Sequence, residues 1–171
     1  MSRDAPAGNS GHTIDGLAFA RTRSEFAGNI PGARLQRLAE LECRVGMLGY
    51  RITGAMNERG KPELELRVSG ELELVCQRCL KPLAFPLELD SRLELARSLE
   101  EIEGAEDEVD RVLASKAMDV ESMVEDEAIL ALPMIPRHDR CEGGQEPKSG
   151  TGRPSPFEAL AALKGGRKSP V

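Results

Sequence analysis

The chain has 171 residues, 40% of them hydrophobic but only 3% aromatic, and a formal charge of −6. That length suits one domain with a mostly aliphatic core. Five rings, Phe19, Phe26, Tyr50, Phe85 and Phe157, are too few for the base-stacking platforms by which many proteins read single-stranded nucleic acid. The charge is uneven: residues 99–136 hold two basic and twelve acidic side chains, while both ends of the chain are net positive. An acidic middle repels a phosphate backbone and suits a basic protein partner or a solvated loop.

Taken in order, residues 1–29 form an N-terminal segment, partly flexible, in which Leu17, Phe19 and Phe26 suggest one short strand. The polar start lacks an apolar stretch of the kind a secretory leader carries, and no run is long enough to span a bilayer, so the expected location is the cytoplasm. The core domain is assigned to residues 30–141. In it, Leu35, Leu38, Ala39 and Leu41 predict a short amphipathic helix between Ala33 and Cys43, with Cys43 as a small buried side chain. Arg44 to Met56 reads as a strand closed by the turn Asn57-Glu58-Arg59-Gly60.

The clearest β signal follows. Leu64, Leu66 and Val68 alternate with charged residues, as do Leu72 and Leu74, and the Ser69-Gly70 step between them marks either a hairpin or a bulge in one long strand. Leu83, Phe85, Leu87 and Leu89 alternate again, with Pro82 and Pro86 on the opposite face, which points to a sheet edge. The acidic run 100–108 reads as a loop and Arg111 to Ala114 as a last short strand. Asp119 is placed to cap a helix whose inward face is Val120, Met123, Val124, Ala128 and Ala131, ended by Pro133 and Pro136. Residues 142–171 read as a flexible linker and a short apolar tail around Phe157, Leu160 and Leu163. The expected fold is α+β: one antiparallel sheet of about five or six strands, open or curled toward a barrel, with two packed helices and a flexible C-terminal tail.

Chemistry concentrates in four residues. Cys76 and Cys79 sit three apart where the alternating stretch turns back, and His138 and Cys141 repeat that offset downstream. Two such pairs on loops have the type and spacing of a zinc site, Cys76, Cys79, His138 and Cys141. The alternative is two reduced thiols packed at a hairpin, with His138 and Cys141 in a solvated loop. Thiol redox catalysis fits less well, because it places its cysteine pair at a helix N-terminus and here strands flank the pair. Glu125, Asp126 and Glu127 are three consecutive carboxylates on a helix, roughly 100° apart, so they cannot all face one ion and read as a solvated face.

Three blocks, Cys76-Gln77-Arg78-Cys79-Leu80, the run Met123 to Pro133, and Pro156 to Leu160, resemble in their order the YceD family, the large ribosomal RNA subunit accumulation proteins. The resemblance covers most of the chain beyond residue 30 and implies a non-enzymatic role in synthesis, processing or stability of large-subunit (23S) ribosomal RNA in bacteria. It assigns no catalytic residues. Partners implied are a ribosomal RNA precursor or a large-subunit ribosomal protein, with no membrane and no small-molecule substrate. Arg78, Glu125, Asp126, Glu127 and Phe157 are the interaction candidates. For phosphate contact the basic candidates are Arg34, Arg37, Arg44, Arg51 and Arg59 on one side, and Arg137, Arg140, Arg153 and Lys164 on the other.

Overall fold

Three long strands set the architecture of the computed structural model, which describes residues 12–105 and 109–141. They are β3 (Arg44–Met56), β4 (Pro62–Val75) and β5 (Pro82–Ala96). Before them come β1 (Thr13–Ile14), α1 (Gly16–Arg21), β2 (Glu25–Pro31), a 3-10 turn (Gly32–Arg34) and α2 (Gln36–Glu40). After them come α3 (Leu99–Glu103), β6 (Arg111–Leu113), β7 (Met118–Asp119) and α4 (Val120–Leu130). Residues up to Asp139 make one compact unit. A second begins at Arg140, and of it only Arg140 and Cys141 are described.

The main sheet runs β2-β3-β4-β5-β6 and is mixed. β2 to β5 pair antiparallel, but β6 lies parallel to β5, with Glu94 opposite Arg111, and β1 pairs with β7 in a separate two-stranded sheet. The expectation of a single antiparallel sheet is corrected on this point, and the sheet does not close into a barrel. The physical reason is the crossover through α3, which carries the chain past the β5 edge and returns it in the same direction.

β4 settles the Ser69-Gly70 ambiguity. Leu64, Leu66, Val68, Gly70, Leu72 and Leu74 occupy alternate positions without a break, so one strand keeps its inward face through the glycine. A Cβ on Gly70 would fall 2.5 Å from a Leu48 methyl and 2.9 Å from the Met47 carbonyl oxygen, so only glycine fits there. The irregularity lies across from it, in β3, where the register shifts between Val45 and Leu48. The inward face of the sheet is covered by Ala20 of α1, Leu35 and Leu38 around α2, and Val120, Val124 and Ala128 of α4, all buried. Each fully buried leucine or valine of this set contributes roughly 1.5–3 kcal/mol. Pro82 and Pro86 face outward on β5, whose free side meets β6 only at Glu94 to Ala96, so the edge assignment holds.

Two local readings change. Leu17 and Phe19 belong to helix α1, whose start is capped by Asp15 accepting from the Ala18 N–H at 3.0 Å, while Phe26 is on β2. The spacing of two apolar residues there mimics a strand, but α1 packs its Ala20 against the core. It lies so close to β3 that a Cβ on Gly54 would fall 2.3 Å from the Phe19 carbonyl oxygen. Part of the acidic run is helix α3, capped by Ser98, with Glu100 and Glu101 in its first turn where the dipole favours them. The cap Asp119 on α4 and the buried Cys43 are as expected. Residues 106–108, the linker from residue 142 and the tail with Phe157 lie outside the described residues.

Candidate functional site

The inward alternation of β4 continues one step past its last residue, and that step is Cys76, whose side chain is completely buried. The chain then reverses within a tight turn. Cys76 N–H donates to the Lys81 carbonyl at 3.0 Å, Leu80 N–H donates to the Cys76 carbonyl at 2.8 Å, and Leu80 takes a left-handed φ of 59°. This curl brings Cys79 back toward Cys76 before Pro82 opens β5.

The segment after α4 docks on that turn. Gln77 N–H donates to the Pro136 carbonyl at 2.8 Å, and the Arg78 guanidinium donates to the carbonyls of His138 (3.0 Å) and Asp139 (3.4 Å). His138 is thereby placed against both thiols. Its backbone N–H donates to Cys76 Sγ at 3.4 Å, and its Nδ1 lies 3.4 Å from Cys79 Sγ. Its Nε2 is 3.0 Å from the Pro82 carbonyl oxygen. Ligand atoms of Cys76, Cys79 and His138 all lie within 4.8 Å of one another, and Cys141 is the second residue of the unit that begins at Arg140.

Burial pushes the Cys76 thiol up, but the backbone N–H groups of His138, Cys79 and Arg78, with the Cys79 side chain, outweigh it and bring the sulfur down to about 5. Cys43 is the contrast: burial alone pushes its thiol up, as for an inert core side chain. The arrangement at the hairpin tip is suited to a soft cation or to thiol chemistry. Its strand–turn–strand setting lacks the helix N-terminus that activates redox pairs.

The three carboxylates of α4 part company, as helical spacing requires. Glu125 is buried and is not part of a solvated face, which corrects that reading. Its carboxylate accepts from the N–H groups of Arg37 (2.8 Å) and Leu38 (3.2 Å) and from Arg37 Nε (2.9 Å), closing the start of α2. Asp126 also pairs with Arg37, whose pKa is raised above its ordinary value by the hydrogen bonds the guanidinium donates to Glu125 and then to Asp126. Glu127 accepts from the Ser91 hydroxyl at 2.6 Å.

The basic candidates of the first half are engaged within the fold. Arg34 pairs with Glu121 (2.9 Å), Arg37 with Glu125, Arg44 with Glu73 (3.1 Å), Arg51 with Glu25, and Arg59 with Glu94 (2.9 Å). Arg137 and Arg140 are exposed, while Arg153 and Lys164 lie outside the described residues. One buried polar cluster escaped the sequence reading. Glu94 meets Arg111 at 3.0 Å, Arg59, and the Asn57 amide at 2.9 Å, and nothing in the local alternation of β5 announces it because the partner arrives on a parallel strand.

Comparison with known proteins places this geometry. The family model described as large ribosomal RNA subunit accumulation protein YceD matches residues 64–164, from the middle of β4 into the tail. A protein of Haemophilus influenzae named large ribosomal RNA subunit accumulation protein YceD is 27% identical over 165 residues, covering 89% of this chain and 94% of that relative. No solved structure gives a significant match. No helix among the described residues is long and apolar enough to cross a membrane. With more than half its length matched, from the inward face of β4 through the cysteine turn and α4, the chain belongs to the YceD family of large ribosomal RNA subunit accumulation proteins.

Proposed function

We propose that the protein promotes accumulation of large-subunit ribosomal RNA as a non-enzymatic factor, and that it reaches the RNA through a basic large-subunit protein. The family match supports the first half. The engagement of Glu125, Asp126 and Glu127 in internal contacts, and a cysteine pair set between strands, both favour a binding role over catalysis.

The observation that carries the second half is the internal pairing of Arg34, Arg37, Arg44, Arg51 and Arg59. A phosphate contact by any of them must compete with a carboxylate that already neutralises the cation, and cation–phosphate contact with counterion release is the main source of affinity for a nucleic-acid backbone. Glu100, Glu103 and Asp110 are exposed in the acidic stretch, and a basic protein surface is their natural complement.

Depletion in the host followed by ribosome profiling tests the first half: large subunits fall while small subunits persist, and an unchanged profile refutes it. For the second, purified protein is titrated with precursor RNA fragments and, separately, with basic large-subunit proteins. Binding confined to the proteins is expected. Tight RNA binding that weakens steeply with salt would move the reading to direct contact and leave the first half standing.

A further inference from the structure

We infer that Cys76, Cys79 and His138 bind one zinc ion, which fastens residues 136–138 to the turn between β4 and β5. The inference is independent of which macromolecule the protein serves.

The tautomer of His138 is the first argument. A carbonyl oxygen can only accept, so the 3.0 Å contact to Pro82 places the ring proton on Nε2. That leaves the lone pair of a neutral imidazole on Nδ1, the nitrogen that faces Cys79 Sγ. Metal-bound histidines are held in this way, with the non-ligating N–H donated to a carbonyl or carboxylate.

Spacing is the second. In a tetrahedral site with Zn–S of about 2.3 Å and Zn–N of about 2.0–2.1 Å, sulfur and nitrogen ligands sit about 3.6 Å apart and two sulfurs about 3.8 Å apart. Cys79 Sγ and His138 Nδ1 are 3.4 Å apart, and the ligand atoms of Cys76, Cys79 and His138 lie within 4.8 Å of one another, so closing on an ion requires only small side-chain shifts.

The third is the scaffolding around the ligands. The buried sulfur of Cys76 accepts the His138 N–H, and the segment carrying His138 is independently hydrogen-bonded to Gln77 and Arg78. Such contacts hold ligands in place before the ion arrives. Two thiols three residues apart and one imidazole have the ligand types and the offset of a zinc site.

The test uses the full chain purified under reducing conditions. Elemental analysis should find about one zinc per chain in the wild type and in Cys43→Ser, whose thiol is buried in the core and is not one of the candidate ligands. Cys76→Ser and Cys79→Ser should lose it, and His138→Asn should weaken zinc affinity by more than the roughly 10- to 100-fold that loss of an outer hydrogen-bond partner costs. Because a ligand variant could fail for reasons of folding, the wild-type apoprotein is also titrated with Co²⁺. Thiolate-to-metal charge transfer with intense tetrahedral d–d bands supports the site. Failure of wild-type apoprotein to take up either metal, or equal metal content in wild type and in Cys76→Ser/Cys79→Ser, overturns it.

Discussion

The two ends of β5 gather polar groups in different ways. At the C-terminal end Glu94 is buried against Arg59, Arg111 and Asn57, so a carboxylate is balanced by cations of the same chain. At the N-terminal end Pro82 opens the strand beside sulfur and imidazole, ligand types whose natural complement is a soft metal ion and which the chain brings from two distant segments. The first cluster is complete as protein and has a structural role. In the second, the donor set carries the chemistry, and folding couples to what it binds.

The largest expected effect tests the first end. Glu94→Ala leaves Arg111, only 9% exposed, without its carboxylate, and breaking a buried pair in this way typically costs about 3–5 kcal/mol. Urea denaturation should show that loss, whereas Glu25→Ala, which removes a half-exposed pair with Arg51, should move stability by less than about 1 kcal/mol. Equal small effects would erase the distinction between a buried cluster and a surface pair.

The second end should respond to chelation instead. If zinc is bound, saturating it at 100 times Kd stabilises the fold by about 2.7 kcal/mol, and a strong chelator removes that increment. Thermal melts of the wild type should shift down on chelation, while Cys79→Ser, already lacking a ligand, should melt at the same temperature with or without chelator. A wild-type melt indifferent to chelator would leave both ends of β5 as plain protein packing.

Much of the fold was legible because the alternation runs unbroken through β4 and through β5 as far as Leu93, and the parity of Leu64 to Leu74 even predicts that Cys76 points inward. What stayed hidden depends on partners far along the chain. The parallel pairing of β6 and the burial of Glu94 follow from Arg111 arriving by a crossover, and the burial of Glu125 follows from α2 presenting its open N–H groups to α4. Helix α1 was misread because two apolar residues two apart satisfy a strand pattern, and the decisive Asp15 cap lies outside that pair. The four-residue ligand set was readable from types and offsets. The approach of His138 to the cysteine pair was not, because it rests on the contact of Gln77 with Pro136.

A smaller effect bears on how the hairpin tip stays in reach. Asp119 accepts from the N–H groups of Glu121 and Ser122 at the start of α4, the helix that delivers the segment with His138. Asp119→Ala should cost about 1 kcal/mol, the usual value of an N-cap. Asp119→Asn should recover most of it, since the amide oxygen can still accept. If Asn rescued nothing, the role of Asp119 would have to be sought in its charge.

The smallest expected effect is a change in acid sensitivity. Glu101 accepts from the Arg97 N–H and pairs with Lys61, and these contacts, led by the backbone hydrogen bond, hold its carboxyl below the ordinary 4.5. A group with a depressed folded pKa contributes its stability above the unfolded value and loses it as pH falls through the folded value. Glu101→Gln should therefore flatten the stability profile on the acid side of about pH 4.5 and leave the slope near neutrality unchanged. Because the contact is on the surface, added salt should shrink the difference between the two profiles. A difference that persisted at high salt would mean that the backbone hydrogen bond from Arg97, and not the surface pair with Lys61, holds the Glu101 carboxylate.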